Sequence, residues 1–280
     1  MTQQVTVFGA GVMGTGIATL MIAHGIPVTL VDIDPAVLAR GRVSVDRQLR
    51  HAQLLGAVPE GVVPGELVTS ASVADCVGSL AVIEAVSEHA EQKDKLLREV
   101  SGLVAPGTVL ISNTSGIPID ELAASVQRPD ELVGIHFMNP PYLITMVEVA
   151  RGPRTSDRTM ESVQSLLGLV NRRGIVVRDA PGFVTSRLLH PMINNAARLV
   201  GEGVATVEEV DALMTGCLGH PTGPLRTADL IGLDNLADAL VALSQRLGNT
   251  EYLPCEYLLD KVRAGRLGRK SGSGFYDYEG

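Results

Sequence analysis

A chain of 280 residues, 45% of them apolar, holds enough material for one large or two moderate buried cores and is read as globular. Its formal net charge of -8 and its lack of lysine- or arginine-rich blocks argue against nucleic-acid and anionic-membrane partners, which require clustered positive charge. No apolar run reaches spanning length, no leader-like segment precedes the first strand, and Cys76, Cys217 and Cys255 are scattered without a C-x-x-C pair, so a reducing, cytoplasmic setting is expected.

Val5 to Phe8 reads as a buried strand that breaks into Gly9-Ala10-Gly11-Val12-Met13-Gly14, followed by apolar residues at helical spacing, Ile17, Leu20 and Met21. A dinucleotide site requires strand, glycine turn and helix in that order. Gly9 allows the sharp turn, Gly11 the approach of backbone to a pyrophosphate, and Gly14 the close packing of helix on strand. Phosphates would sit on the unpaired N–H groups of the helix N-terminus, and Met13 is counted with the glycines among the cofactor-binding positions. A second strand, Val28 to Val31, ends in Asp32, about twenty residues past the glycines. A carboxylate there accepts hydrogen bonds from both ribose hydroxyls and repels a 2′-phosphate, so NAD is the expected cofactor rather than NADP.

Asp34-Pro35 reads as an N-cap and first turn, opening a helix to about Leu55 whose Arg40, Arg42, Arg47 and Arg50 decorate a solvated face. Gly56 to Gly65, with Pro59 and Pro64, is a loop. Ala81 to Val86 is a third buried strand, Glu88 to Val104 an amphipathic helix, and Val109 to Ser112 a fourth strand. Alternation at this spacing as far as Val177 implies a Rossmann-type, doubly wound, mostly parallel sheet with helices on both faces. Beyond Asp179-Ala180-Pro181-Gly182 only helical segments are evident: Phe183 to Val200, Thr206 to Leu218 with Thr206 and Glu209 as a capping box, and Leu225 to Leu247 with a break at Gly232. The expected organisation is α/β: residues 1–180 form a nucleotide domain and 181–280 an all-helical domain for substrate and dimerisation.

Ligands of open parallel sheets bind beyond the carboxyl ends of the strands. Two ends carry chemistry. The fourth strand runs into the polar turn Ser112-Asn113-Thr114-Ser115-Gly116, and Leu132 to Ile135 runs into His136-Phe137-Met138-Asn139-Pro140-Pro141. A histidine leaving a buried strand suits a base, because imidazole titrates near neutrality. Twelve residues on, Met146-Val147-Glu148-Val149 sets a carboxylate in an apolar strand, where an unpaired charge is costly. Pairing Glu148 with His136 satisfies both and fixes the tautomer; from the spacing alone, a structural histidine with an edge-strand glutamate fits equally well. The six histidines show no ligand spacing, so no metal is predicted.

In this order GAGVMGTGIA, NTSGIPI, GIHFMNP, MVEV, PGFVTSRLL, GHPTGPL, ADLIGLD and GRKSGSGFYDY resemble the 3-hydroxyacyl-CoA dehydrogenase family, including its bacterial 3-hydroxybutyryl-CoA enzymes, over almost the whole chain. The resemblance implies an NAD-dependent oxidoreductase that interconverts a 3-hydroxyacyl thioester and its 3-oxoacyl form. It further implies that His136 is base in oxidation and acid in reduction, with Glu148 its partner and Ser115 between the substrate hydroxyl and the nicotinamide. Asn139 and Ser186 fall on the substrate side, and Glu84, Glu88, Lys93 and Asn113 lie where the family contacts NAD. For Glu88 and Lys93 a solvated helix face fits as well. A homodimer through the helical domain is also implied.

The departures from the family lie on the substrate side. Ser186 replaces the usual asparagine, Thr145 the usual lysine before MVEV, and Phe137-Met138 a Phe-Phe pair, while Pro140-Pro141-Tyr142 looks more like hydroxy- and sugar-acid relatives. The loop from Gly56 to Gly65 stands where CoA enzymes usually have a longer, lysine-bearing hairpin, and no lysine precedes Lys93. A thioester carried by an acyl carrier protein, as in polyketide pathways, would need no such hairpin, and the arginines at 40, 42, 47 and 50 would meet an acidic carrier. A free hydroxy or sugar acid is a further alternative. A non-catalytic NAD-binding protein of the lens-crystallin kind is countered by the joint presence of Ser115, His136 and Glu148.

Overall fold

Four short runs, VTVF, VTLV, AVIE and VLIS, are buried along their whole length, as strands of a parallel sheet covered on both faces must be. The computed structural model describes residues 4–278. In chain order its first part comprises β1 (Val5–Phe8), α1 (Val12–Ala23), β2 (Val28–Val31), α2 (Pro35–Leu54), β3 (Leu67–Ser70), β4 (Ala81–Glu84) and α3 (Ala90–Leu103). Next come β5 (Val109–Ser112), α4 (Ile119–Ala123), β6 (Leu132–His136), β7 (Met146–Arg151), α5 (Asp157–Leu169) and β8 (Arg173–Arg178). The strands form one sheet in the order β3-β2-β1-β4-β5-β6-β7-β8, parallel throughout except between β6 and β7. The order reverses between β1 and β4, which opens a crevice beyond their carboxyl ends.

Alternation along β1 feeds two cores. Val5 and Val7 join Ile17, Leu20, Val163 and Leu167 on one face, and Phe8 joins Leu97, Val100, Ile119 and Leu122 on the other. Burial of each such side chain is worth roughly 1.5–3 kcal/mol, so the sheet is anchored from both sides. Asp34 caps α2 by accepting from the Ala36 N–H, with Pro35 in the first turn, and residues 55–66 form the expected irregular connection. Strand β3 is absent from the sequence reading because it is a half-exposed edge strand with a weak apolar pattern.

The chain divides into two compact units after Phe183, and the expected boundary near 180 lies in the turn just before it. The second unit contains α6 (Thr185–Gly201), α7 (Val207–Leu218), α8 (Pro224–Ile231), α9 (Leu233–Leu247) and α10 (Glu256–Arg263). Thr206 and Glu209 form the capping box of α7, and Gly232, at φ 95°, breaks α8 from α9. Helix α10 is an addition to the sequence reading; only its Leu258 is buried, so its apolar stripe is thin. Two buried carboxylates tie this unit together. Asp211 accepts from the N–H groups of Leu225 and Arg226 at the start of α8, and Asp229 accepts from those of Phe275 and Tyr276. Two of the quoted motifs, GHPTGPL and GRKSGSGFYDY, thus include segments that a buried carboxylate holds through backbone N–H groups.

Candidate active site

At the crevice, β1 enters the glycine turn. Gly9 adopts φ 96°, and a Cβ there would lie 2.5 Å from the Ala85 carbonyl oxygen, so only glycine fits the turn. A Cβ on Gly14 would collide with the Gly9 carbonyl, which is the close helix-on-strand packing its spacing predicts. Gly11, the N-cap of α1, has open space where its Cβ would be, and no side chain caps the helix. The first turn of α1, with Met13 in it, therefore presents backbone N–H groups, the arrangement that accepts a pyrophosphate. Asp32 stands just beyond β2: Oδ2 accepts from the Ala10 N–H at 2.9 Å and Oδ1 from that of Asp34 at 3.1 Å. The carboxylate is thus tied to the glycine turn itself, and the cradle fits a dinucleotide.

Beside the turn, β4 ends in a buried charge network. Glu84 has no exposed surface; Oε1 accepts from Lys93 Nζ at 2.6 Å and the Val86 N–H at 2.9 Å, and Oε2 accepts from Ser112 Oγ at 2.6 Å. Lys93, 1% exposed, also pairs with Glu88 Oε2 at 3.2 Å and donates to the Val86 carbonyl. The solvated-face alternative fails for Lys93. Any effect of Glu84 or Lys93 on a cofactor runs through the turn they hold, because their polar atoms face each other. Burial is the largest single influence on Lys93 and favours its neutral form, yet the charges and hydrogen bonds of Glu84 and Glu88 together outweigh it and raise its pKa.

Glu88, with 41% of its side chain open, gathers the NTSG turn. Its Oε1 accepts from Thr114 Oγ1 at 2.5 Å, the Ser115 N–H at 2.8 Å, Ser115 Oγ at 3.1 Å and the Gly116 N–H at 3.2 Å. Desolvation opposes its charge, but Lys93 and these donors overcome that penalty and lower the pKa. Sequence reasoning missed Thr114 and Ser112 as organisers of this turn; the polar run from 112 to 115 was the available signal. Asn113 is nearly buried, and its Oδ1 accepts from the Phe137 N–H at 3.0 Å, joining the end of β5 to the residue after His136.

His136 closes β6, and the antiparallel register sets it directly opposite Glu148. Nδ1 lies 3.3 Å from Glu148 Oε2, with the side chains 13% and 5% exposed. The distance is long for a charge-assisted bond. Strand β7 is internal, between β6 and β8, so the edge-strand alternative for Glu148 fails. The Phe183 ring lies 6.4 Å from the imidazole, centre to centre. Asn139 is exposed in the loop after His136, three residues beyond it. Ser186 belongs to the second unit, in the first turn of α6. Among the described residues, no group of three or more His, Cys, Asp or Glu has the geometry to hold a metal ion, and no helix is long and apolar enough to cross a membrane.

A family model for the NAD-binding domain of 3-hydroxyacyl-CoA dehydrogenase matches residues 4–180, and one for the C-terminal domain of the same enzymes matches 182–278. A probable 3-hydroxybutyryl-CoA dehydrogenase of Bacillus subtilis is 39% identical over 280 residues, covering 99% of this chain and 98% of its own. Among solved structures, FadB2 of Mycobacterium tuberculosis superposes with a TM-score of 0.92 at 35% identity, covering 99% of both chains. The (S)-3-hydroxybutyryl-CoA dehydrogenase PaaH1 of Ralstonia eutropha gives 0.87 at 36% identity, with both chains covered in full.

Proposed function

The chain belongs to the 3-hydroxyacyl-CoA dehydrogenase family, with NAD as cofactor, and from that premise we propose that His136 and Glu148 carry its acid–base chemistry on a short 3-hydroxyacyl-CoA of (S) configuration. The observation that carries the reading is the dyad at the carboxyl end of β6, opposed by the strand register in the sheet whose crevice holds the glycine turn.

NAD supplies a hydride acceptor at its nicotinamide C4. The chain does the rest. N–H groups of the α1 N-terminus bind the pyrophosphate, and Asp32 binds the ribose and discriminates against a 2′-phosphate. Nδ1–H of His136 donates to Glu148, which leaves Nε2 as the acceptor of the substrate hydroxyl proton while the carbinol C–H bond breaks. Glu148 then stabilises the imidazolium. In reduction the same proton returns. Ser115 orients the hydroxyl, Asn139 lies in the loop that leaves the base, and Asn113, Glu84, Glu88 and Lys93 hold the turns that carry these groups.

CoA is the handle this reading favours. Arg40 and Arg47 lie exposed along one stretch of α2 with Val43, positive charge that suits an anionic handle, CoA or carrier alike. A homodimer through the helical unit rests on the exposed Leu213, Leu218 and Val204, and free, unpaired cysteines are consistent with a cytoplasmic setting. The test follows NADH consumption with acetoacetyl-CoA, beside the His136→Ala variant. His136-dependent turnover, lowered roughly 10²–10⁴-fold in the variant with NADH affinity kept, is expected. Turnover unaffected by the substitution would overturn the dyad; tight NADH binding without turnover would transfer the substrate assignment to a carrier-bound thioester or a free hydroxy acid.

A further inference from the structure

We infer that Arg172 is a positioning residue for the reaction proposed above: it fixes the Asn139–Tyr142 loop, which connects the base to its partner strand, against the cofactor helix α1. The inference rests on that functional reading. Just past the end of α5, Asn171 adopts a φ of 51°, which is left-handed, a conformation asparagine tolerates better than most residues. The chain turns back there, with the Arg172 N–H donating to the Leu167 carbonyl at 2.8 Å. The guanidinium is carried inward and is 9% exposed.

Its partners are all carbonyl oxygens. Nη1 donates to Val170 and Asn171 at 3.1 Å each, while Nε and Nη2 fork onto the single carbonyl of Pro141 at 3.2 and 3.1 Å. Among the described residues no carboxylate pairs with it, and burial pulls its pKa below the ordinary arginine value. The partial negative charge at the C-terminus of α5 compensates in part. A buried cation without a counter-ion is a costly way to fill space, which an apolar side chain would do better. What it does here is grip one peptide. The opposite side of Pro141 is equally constrained: a Cβ on Gly16 of α1 would lie 2.6 Å from Pro141 Cδ. The next residue, Tyr142, meets His51 Nδ1 of α2 through its hydroxyl at 3.1 Å, with the two rings edge to face.

Pro141 is therefore clamped between the helix whose N-terminus faces the pyrophosphate and the turn that leads into β8. The clamp sets the register of Asn139, two residues upstream, relative to the bound cofactor. A misplacement of about 1 Å at a reacting centre costs on the order of 10²-fold in rate, so the joint matters without touching substrate.

The test compares Arg172→Met and Arg172→Lys with the parent in three readouts: kcat with acetoacetyl-CoA, NADH affinity by fluorescence, and amide exchange over residues 137–145. Expected for folded Arg172→Met is a kcat lower by roughly tenfold or more, NADH affinity within about twofold, and faster exchange, with lysine restoring part of each loss through one of the two bonds to Pro141. Parent kcat in the folded methionine variant, or kcat and NADH affinity falling in parallel, overturns the inference. Should the methionine variant fail to fold, the lysine variant decides: parent values of both kcat and exchange overturn it. A parent without thioester turnover refutes the functional reading instead, and unchanged exchange in the variants then refutes the clamp separately.

Discussion

Around the β1–α1 turn, contacts are made by backbone and by the absence of side chains, whereas from β4 to β7 they are made by charged side chains drawn from distant segments. Gly9 and Gly14 work because a Cβ at either would strike main chain. Only Asp32 adds a charge, and two backbone N–H groups hold it. On the other side the buried Lys93 and Glu84 pair with each other and with the partly open Glu88, Glu88 gathers the NTSG turn, and His136 reaches Glu148 only through strand register. A cofactor shared by many enzymes needs a fixed cradle that geometry alone supplies. Acid–base chemistry needs charges held where burial penalises them, and that takes partners.

Substitutions in the two regions should fail differently. The largest expected effect is Lys93→Met. It would leave Glu84 and Glu88 facing one another without their counter-charge, at a cost of about 3–5 kcal/mol. Urea unfolding measures it, and a variant as stable as the parent would mean that the triad is not what holds this wall. Next comes Glu148→Gln, which keeps the shape and an acceptor for Nδ1–H but removes the charge that stabilises the imidazolium. A kcat lower by about 10²-fold, or roughly 2.7 kcal/mol, with NADH affinity unchanged is expected; parent kcat would reduce Glu148 to packing.

The same division explains what could be read in the chain beforehand. The glycine spacing, the Asp34 cap and the capping box at Thr206 are local, so sequence carried them to the structure unchanged. The dyad was half legible: the residue types pointed to it, but only the β6–β7 register puts positions 136 and 148 face to face and shows β7 to be internal. Lys93 was not legible, because a lysine in the first turns of an amphipathic helix looks the same whether it faces water or two carboxylates. Nor was Arg172, whose partners are backbone carbonyls that leave no mark in side-chain patterns. The exposed β3 and the thinly buried α10 lacked the apolar periodicity that reveals an element.

In the cofactor region, Asp32→Ala tests whether one charge sets preference in a site otherwise built from backbone. An NADH affinity lower by roughly tenfold, about 1.4 kcal/mol, with a smaller preference over NADPH is expected. Because the carboxylate also accepts from Ala10 and Asp34, part of that loss comes from a looser glycine turn. An unaltered ratio of the two affinities would remove Asp32 from the ribose.

The smallest effect separates the regions by pH. Glu88 has a folded pKa below the ordinary carboxylate value of about 4.3, so its stabilising contribution is present at neutral pH and disappears as pH falls through the folded value. Lys93 is shifted the other way: its contribution is complete below the ordinary lysine value of about 10.4 and is lost only as pH rises through the folded one. The triad therefore gives a plateau across neutrality bounded by two limbs. Glu88→Gln should flatten the acid limb of the melting temperature against pH and weaken the grip on Ser115, whose N–H would keep only a neutral acceptor. An acid limb left unchanged by Glu88→Gln would mean that this carboxylate contributes nothing to the stability of the fold, and the contrast between a backbone cradle and a charge-built wall would not hold.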